Sequence, residues 1–225
     1  MRLLQLAVDI DAVVLDMDGL MLDTEPLYKR AWQQAALQFG FRLDDTFYLA
    51  LIGRTNASAE IALAEHFGVD FPLPSFRERW ADLWREEAEA SGIRLKPGVV
   101  ELLEYLAGQD LAVAIATSSD QEYAAFSFKA AGLDTRMFTH VVTGDQVKNG
   151  KPAPDIYLEA ARRLGVSPAR TLAIEDSDAG ILSATAAGMI SLMVPDLKLP
   201  SHEAHQKAFR VLASLHEVVS LLIQC

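Results

Sequence analysis

Short apolar runs alternate with segments of helical periodicity from residue 97 to about residue 194, and this alternation restricts the fold more than any other feature. Runs of β-branched and aliphatic residues are typical of strands that are buried on both faces. Strands that alternate with helices favour a parallel sheet with helices packed on both sides. The sequence therefore predicts an α/β fold with a Rossmann-like, doubly wound parallel sheet. The predicted strands comprise residues 13–15, 111–116, 140–143, 171–174 and 191–194.

Residues 24–92, which follow the first predicted strand, carry helical signals and little strand signal. Thr24 is predicted to begin a first helix, because threonine is favoured at helix N-termini and Pro26 fits a first turn. Further helices are predicted at residues 57–67 and after residue 75. The sequence therefore predicts two domains, an α/β core of residues 1–22 and 93–225 and an inserted α-helical domain of residues 23–92.

The composition and charge of the chain limit the kinds of partner that it can have. Of its 225 residues, 51% are hydrophobic, which is enough for a sizeable core. The net charge of −11 argues against nucleic acid or an anionic membrane surface as the main partner. No apolar run has the length of a membrane span, and Asp9 and Asp11 interrupt the apolar N-terminus too early for a signal peptide. The single cysteine, Cys225, allows no disulfide within the chain, so we expect a cytoplasmic protein.

Two aspartates, Asp16 and Asp18, end the first predicted strand, and Gly19 follows them. In an extended chain, residues i and i+2 point to the same side, about 6.5 Å apart, so both carboxylates can face one reacting group. Two negative charges at this distance are unfavourable unless a cation lies between them, which indicates a hard divalent ion. An isolated pair of this kind is at least as often the start of a solvated turn as part of an active site. The residues at the other strand ends therefore have to distinguish the two interpretations.

Polar side chains also follow three of the other predicted strands. They are Thr117, Ser118 and Ser119 after the second strand, Lys151 after the third, and Glu175 and Asp176 after the fourth. Each group has an ordinary explanation: Ser119 and Glu122 form a capping box, a lysine in a loop is usually solvated, and acids before a helix favour its dipole. Because ligands of such folds bind beyond the carboxyl ends of the strands, the joint occurrence of these groups favours a single site instead.

The chemistry that requires this set of groups is phosphoryl transfer through an aspartyl phosphate. One carboxylate attacks phosphorus, and a second group protonates the leaving oxygen and later activates water. Mg²⁺ lets an anionic nucleophile approach an anionic phosphate, while hydroxyls, N–H groups and a lysine hold the phosphoryl oxygens.

Four motifs, in their order and spacing, resemble those of the haloacid dehalogenase superfamily, and within it the group that contains β-phosphoglucomutase and small sugar phosphatases. The resemblance covers nearly the whole chain. The motifs are Asp16-Met17-Asp18-Gly19, Ala116-Thr117-Ser118, Lys151-Pro152-Ala153-Pro154-Asp155 and Glu175-Asp176-Ser177-Asp178-Ala179-Gly180.

The resemblance implies a role for each of these positions. It implies that Asp16 is the nucleophile and that Asp18 is the general acid and base. The implied phosphate ligands are Thr117, Ser118 and Lys151. The implied metal ligands for Mg²⁺ are Asp16, Asp18 through its backbone carbonyl, and Asp176, with Glu175 close by. The predicted α-helical domain is similar to the family's helical cap, which closes over the site and selects the substrate.

The retained Asp18 favours phosphate chemistry, because the dehalogenases that the chain resembles lack a carboxylate there and need no metal. β-Phosphoglucomutase grips the second phosphate of a bisphosphate with cationic cap residues, and an ungapped alignment puts Ile52 and Asn56 at those positions. Arg54 remains, but at a different point of the loop. We therefore expect a Mg²⁺-dependent phosphatase that acts on a small sugar phosphate, with a phosphosugar mutase as the alternative.

Five residues of the predicted cap are candidates for contacts with the leaving group of the substrate. They are Tyr28, Gly53, Arg54, Thr55 and Asn56. Tyr28 also lies on the apolar stripe of the first predicted helix, so it is a candidate core residue as well. The expected partner is a small phosphorylated metabolite rather than nucleic acid or a membrane, and the expected assembly is a monomer or a weak homo-oligomer.

A receiver-like module that is phosphorylated on aspartate, or a non-catalytic relative, is the alternative from another functional class. A receiver also has a parallel sheet, an acidic cluster, a hydroxyl and a lysine. Its phosphoacceptor follows the third strand rather than the first, however, and no helical insertion comes after it. All the motif positions are present in this chain, which favours an enzyme.

Overall fold

The computed structural model describes residues 2–3, 8–51, 56–109 and 111–224. The chain divides into two compact units. Thr24–Ile93 forms one of them, which we call the helical unit, and Met1–Asp23 with Arg94–Cys225 forms the other, which we call the core unit. In the described part of the chain, no helix is long and apolar enough to cross a membrane.

The core unit is built on a six-stranded sheet in which every neighbouring pair of strands is parallel. Two further short strands, β1 (Arg2–Leu3) and β2 (Val8–Asp9), pair antiparallel ahead of it. The strands of the main sheet are β3 (Ala12–Leu15), β4 (Ala112–Ala116), β5 (His140–Val142), β6 (Thr171–Glu175), β7 (Ile190–Met193) and β8 (Arg210–Val211). Their order is β5-β4-β3-β6-β7-β8, which confirms the predicted doubly wound α/β fold.

The order of the strands reverses at β3, because the chain first adds β4 and β5 on one side and then β6, β7 and β8 on the other. In open parallel sheets, such a reversal leaves a crevice at the carboxyl ends of the strands where ligands bind. The register aligns Leu15, the last residue of β3, with Ile115 of β4 and Ile174 of β6. The residues that follow these three positions therefore begin the crevice together.

The helical unit contains four described helices. They are α1 (Glu25–Gln38), α2 (Asp45–Leu51), α3 (Asn56–Phe67) and α4 (Leu73–Ser91). Aromatic rings join α1 to α4: Tyr28 stacks on Trp84 with 5.6 Å between ring centroids, and Trp32 meets Phe76 edge to face at 5.6 Å. Helix α2 was not predicted, although Asp44 accepts a hydrogen bond from the N–H of Phe47 at 2.9 Å, which is a local signal of a helix start.

The helices of the core unit pack on the sheet through small and aliphatic side chains. They are α5 (Val99–Gly108), α6 (Gln121–Ala130), α7 (Asp155–Leu164), α8 (Asp178–Ala186), α9 (His202–Lys207) and α10 (Leu215–Ile223). Ile156, Tyr157, Ala160 and Ala161 form one face of α7, all are buried, and they pack in the same cluster as Ala114 of β4. This spacing of i, i+1, i+4 and i+5 is the pattern of a helix with one apolar face.

Helix α6 corrects one prediction about its own N-terminus. The sequence pattern made Ser119 the capping residue in a box with Glu122, but the N-cap is Asp120, whose carboxylate accepts a hydrogen bond from the N–H of Tyr123 at 2.8 Å. Ser119 uses its hydroxyl elsewhere, on the carboxylate of Asp18. The next acceptor along the chain therefore takes the capping position.

Candidate active site

Asp16 and Asp18 lie at the carboxyl end of the central strand β3, where the strand order reverses. The N–H of Asp16 continues the sheet by donating to the carbonyl of Ile174 at 3.0 Å. The side chain of Asp16 is buried, with 6% of the residue exposed, whereas Asp18 is partly exposed. The following Gly19 has a φ of 84°, and a Cβ atom at this position would overlap the carboxylate of Asp176. A glycine is required here both by the backbone conformation and by the close approach of a second acidic side chain.

Lys151 connects the carboxylates of Asp16 and Glu175. Its ammonium donates to Oδ1 of Asp16 at 2.5 Å, to Oε1 of Glu175 at 2.5 Å and to the carbonyl of Ala116 at 2.9 Å. Only 5% of its side chain is exposed. The residue precedes the N-terminus of α7, which positions it at the carboxyl ends of β3, β4 and β6. The lysine is therefore a buried structural and electrostatic link, not a solvated loop residue.

The Glu175 carboxylate is held by the protein through both of its oxygens. Oε1 accepts from Lys151 and from the hydroxyl of Tyr157 at 2.7 Å, and Oε2 accepts from the backbone N–H groups of Asp176 and Ser177 and from the Ser177 hydroxyl. Gly180 of α8 has no room for a Cβ atom beside this carboxylate. These contacts favour Glu175 as a support of the Lys151 ammonium, and its predicted part in binding a metal stays a prediction.

The carboxylates of Asp16, Glu175 and Asp176 form an acidic cluster in which one oxygen of each residue lies within 4.8 Å of the others. Burial raises the pKa of Asp16 to about 8, with further increases from the charges of Glu175 and Asp18 and with Lys151 opposing them. Burial and the neighbouring carboxylates also raise the pKa of Asp176 well above its usual value. With all three carboxylates ionised, the cluster would hold more negative charge than Lys151 neutralises, and oxygen ligands of this kind suit a hard divalent cation.

The charged form is favoured in Lys151 and Glu175, whereas burial favours the neutral form in Asp16 and Asp176. Burial would lower the pKa of Lys151, but the carboxylates of Asp16 and Glu175 outweigh it and raise this pKa above its usual value. Burial would raise the pKa of Glu175, but Lys151 and the hydrogen bonds from Tyr157 and Ser177 lower it. Both groups are therefore charged at neutral pH.

The Asp18 carboxylate is held on the other side of the site by two hydroxyls. Oδ2 accepts from Ser119 Oγ at 2.9 Å and Oδ1 accepts from the Tyr123 hydroxyl at 3.0 Å. Tyr123 was not among the predicted site residues. It lies in the first turn of α6, 105 residues away along the chain, so no local sequence signal indicates this contact.

The predicted phosphate ligands Thr117 and Ser118 follow strand β4. Thr117 is buried, its N–H donates to the carbonyl of Val142 at 3.0 Å, and its Oγ1 accepts from the N–H of Ser119 at 3.1 Å. Ser118 is exposed, and a Cβ atom on Gly144 would overlap its carbonyl. The loop is therefore fixed against the end of β5, while binding of phosphate by these two residues stays a prediction.

A further ion pair lies beside the acidic cluster and was also missed. Lys96 Nζ lies 2.5 Å from Oδ1 of Asp196 and 3.8 Å from Oδ1 of Asp23. The charge of Asp196 contributes to the raised pKa of Asp176, but less than burial and the carboxylates of Asp16 and Glu175 do. Lys96 and Asp196 are 100 residues apart, so only the folded chain brings them together.

Of the five predicted substrate contacts of the helical unit, the described residues include Tyr28 and the backbone of Asn56. Tyr28 belongs to the aromatic packing between α1 and α4, where it lies 5.8 Å from the ring of Trp80 and 5.6 Å from that of Trp84. Gly53, Arg54 and Thr55 lie outside the described residues, as do Ile52 and the side chain of Asn56. Contacts of these residues with a substrate stay predictions.

Comparisons of the sequence and of the structure with known proteins identify the same family of hydrolases. A family model described as haloacid dehalogenase-like hydrolase matches residues 10–188. A phosphorylated carbohydrates phosphatase of Thermotoga maritima is 33% identical over 180 residues, which are 80% of this chain and 82% of the relative. A candidate pseudouridine-5′-phosphatase of Drosophila melanogaster is 36% identical over 209 residues, which are 90% of this chain and 88% of the relative. The crystal structure of a candidate beta-phosphoglucomutase from Thermotoga maritima superposes with a TM-score of 0.82 at 30% identity, over 96% of this chain and 99% of that one.

Proposed function

This chain belongs to the haloacid dehalogenase-like hydrolases, and from this premise we propose that it is a Mg²⁺-dependent phosphatase that hydrolyses a small phosphate monoester, a sugar phosphate, through an aspartyl phosphate. One observation carries the proposal: the buried Asp16 carboxylate accepts a hydrogen bond from the Lys151 ammonium and forms an acidic cluster with Glu175 and Asp176 at the carboxyl end of the sheet. A carboxylate in this position can act as a nucleophile, because a cation beside it and a cation on the cluster would keep it ionised.

The reaction that we propose has two steps. Asp16 attacks phosphorus, the bond from phosphorus to the ester oxygen breaks, and the leaving oxygen takes a proton from Asp18. Asp18, now a carboxylate, removes a proton from water. The resulting hydroxide attacks the aspartyl phosphate, which frees inorganic phosphate and the Asp16 carboxylate. The partial exposure of Asp18, beside a buried Asp16, suits a group that exchanges protons with a substrate and with water.

Asp16 and Asp176 would hold Mg²⁺, together with the backbone carbonyl of Asp18. The residues fit a divalent cation because their oxygens converge and because the cluster has more carboxylates than Lys151 can neutralise. When bound, Mg²⁺ supplies positive charge that offsets the repulsion between a carboxylate and an anionic phosphate. Lys151, Thr117 and Ser118 are proposed to hold the phosphoryl oxygens, with Lys151 already fixed by Asp16 and Glu175.

The class of substrate follows from the relatives rather than from a described pocket. The Thermotoga maritima relative is named a phosphatase of phosphorylated carbohydrates, and the Drosophila melanogaster relative a pseudouridine-5′-phosphatase. We infer that the helical unit acts as a cap that selects such a sugar-like phosphate. The net charge of −11 would not attract an anionic substrate over distance, so capture depends on local positive charge. A cytoplasmic location stays a prediction from the single cysteine.

A phosphosugar mutase is the second candidate. The similarity to a candidate beta-phosphoglucomutase structure favours it, with a TM-score of 0.82. A mutase has to keep its phosphoryl group from water and return it to the second position of the substrate. The positions that the sequence alignment assigns to its cationic grips carry Ile52 and Asn56, which lack positive charge. This difference is why we favour hydrolysis.

The test is phosphate release from a panel of sugar and nucleotide monophosphates, with Mg²⁺ and with a chelator, beside an assay for isomerisation of β-glucose 1-phosphate to glucose 6-phosphate. We expect release that depends on Mg²⁺ and that is fastest for a few related sugar phosphates. Isomerisation without release would establish the mutase instead. No turnover of any phosphate ester, with intact fold, would refute both and favour a phosphoacceptor module.

A further inference from the structure

The Asp18 carboxylate accepts one hydroxyl on each of its two oxygens. We propose that Tyr123, together with Ser119, is a positioning residue that aims Asp18 at the leaving oxygen of the substrate. The Tyr123 hydroxyl lies 3.0 Å from Oδ1 and the Ser119 hydroxyl lies 2.9 Å from Oδ2. The inference rests on the proposed function, because it assigns Asp18 the proton transfer of a phosphatase.

The two donors are themselves fixed by the protein. The N–H of Tyr123 donates to the N-cap Asp120 at 2.8 Å, so its backbone is held in the first turn of α6. The N–H of Ser119 donates to Oγ1 of Thr117 at 3.1 Å, and its carbonyl accepts from the N–H of Gly144 at 2.8 Å. Buried residues of α6, Ala124 and Phe128, anchor the helix on the core. The backbone that carries each of the two hydroxyls is therefore held in place by hydrogen bonds.

Asp18 needs such support more than Asp16 does. Asp16 is buried and bound to Lys151, whereas Asp18 follows the end of the strand and is partly exposed. An aspartate carboxylate turns about two side-chain torsions, χ1 and χ2. A single hydrogen bond to one oxygen would not fix both of them. Two donors on two oxygens restrict both torsions. Proton transfer depends steeply on such geometry, because donor and acceptor must be within hydrogen-bond reach.

Hydroxyls suit this task better than cationic groups. A hydroxyl can donate to an ionised carboxylate and also to an oxygen of a protonated one, which leaves the acidic proton free for the leaving oxygen. Ser119 and Tyr123 can therefore hold Asp18 in both of the forms through which the proposed reaction takes it. A lysine ammonium would favour the ionised form through its charge, which opposes transfer of a proton to the leaving oxygen.

The experiment compares two substrates that differ in how much they need a proton on the leaving oxygen. p-Nitrophenyl phosphate releases a stabilised anion and needs little protonation, whereas phenyl phosphate releases a more basic oxygen, and the best sugar phosphate of the panel a still more basic one. The value of kcat/KM reports the steps up to departure of the leaving group. We would measure kcat/KM for the three substrates with the full chain and Mg²⁺, in the wild type and in Tyr123→Phe, Ser119→Ala and the double variant.

For Tyr123→Phe we expect kcat/KM to fall about tenfold for the sugar phosphate, less for phenyl phosphate, and by less than about twofold for p-nitrophenyl phosphate. For Ser119→Ala we expect the losses of kcat/KM to rank the three substrates in the same order. The losses of the double variant should approach those of Asp18→Asn. Tyr105→Phe is the matched control, because it removes a hydroxyl that donates to the Leu222 carbonyl at 2.8 Å in the same unit. This control is expected to leave the ratio among the three substrates unchanged.

Equal losses for all three substrates, or no loss for any, in stably folded Tyr123→Phe and Ser119→Ala would overturn the inference and leave the phosphatase intact. Thermal unfolding of each variant separates a folding defect from a positioning effect, because a smaller folded fraction lowers all three rates by the same factor. A folded wild type that releases phosphate from none of the three substrates would overturn the proposed function and this inference with it.

Discussion

The two sides of the candidate site hold a carboxylate by different means. On one side, which we call the ionic side, Asp16 is bound by Lys151, and Lys151 is bound by Glu175, which also accepts from Tyr157. On the other side, which we call the hydroxyl side, Asp18 accepts from Ser119 and Tyr123. The two aspartates are two residues apart in sequence, yet one is buried and the other partly exposed.

This difference shows how two identical side chains acquire two chemical environments. Buried charges are strongly coupled, so a change at one member of the ionic side leaves its partners without compensation. Hydrogen bonds from hydroxyls orient a carboxylate without supplying a full charge. We therefore expect changes on the ionic side to alter both activity and the free energy of unfolding. Changes on the hydroxyl side should alter activity with little effect on folding.

The largest effect is expected for Asp16→Asn, which removes the proposed nucleophile and keeps its shape. We expect phosphate release to fall by about 10⁴-fold or more, because no other group can form the covalent intermediate. The thermal midpoint should rise, because Lys151 keeps Glu175 and the substitution removes a carboxylate whose ionisation is opposed by burial and by the neighbouring carboxylates. Activity near that of the wild type would contradict the assignment of Asp16.

A smaller but still large effect is expected for Lys151→Met. The change leaves Asp16 and Glu175 without their shared cation, and breaking a buried ion pair in this way costs about 3–5 kcal/mol of unfolding free energy. Lys148→Met, which alters an exposed lysine of the same loop, should change stability by less than about 0.5 kcal/mol. Denaturant unfolding measures both values. Equal stability of the two variants would show that Lys151 is not the electrostatic centre of the ionic side.

The ionic side was largely predictable from sequence, and the reason is topological. Asp16, Lys151, Glu175 and Asp176 each follow a predicted strand, and the carboxyl ends of parallel strands meet at one edge of a sheet. The structure brings Asp16, Glu175 and Asp176 within 4.8 Å of one another and puts Lys151 at 2.5 Å from two of them. A correct fold class was enough to bring these side chains together.

The hydroxyl contacts to Asp18 and Glu175 were not predictable, because local sequence rules compete there with tertiary contacts. Ser119 satisfies the sequence rule for a helix cap, but its hydroxyl is used by Asp18 and Asp120 caps α6 instead. Tyr123 and Tyr157 look in sequence like ordinary aromatic residues of amphipathic helices. Their hydroxyls reach carboxylates 105 and 18 residues away, and only the packing of α6 and α7 on the sheet decides which carboxylate each one meets.

Binding of Mg²⁺ should stabilise the folded protein through the acidic cluster. At a free Mg²⁺ concentration of 100 times the dissociation constant, the free energy of unfolding should rise by about 2.7 kcal/mol. Asp176→Asn should remove most of this increase, because it takes one carboxylate from the cluster. The measurement is thermal unfolding with MgCl₂ and with NaCl of equal ionic strength. An increase that survives Asp176→Asn would locate the cation elsewhere.

The smallest effect is expected for Tyr157→Phe, which removes one hydrogen bond from the ionic side and leaves its charges in place. The Tyr157 hydroxyl donates to the charged Oε1 of Glu175 at 2.7 Å, and such a bond contributes about 1.5–3 kcal/mol. Tyr105→Phe removes a hydrogen bond to a neutral carbonyl, and a bond of this kind contributes about 0.5–1.5 kcal/mol. The first variant should therefore unfold more easily than the second in the same denaturant series. Only the first should also lower phosphate release, because Glu175 would then orient Lys151 less firmly. Equal losses of activity in both variants would mean that the ionic side does not depend on the orientation of Glu175, and that its charges alone hold Asp16 in place.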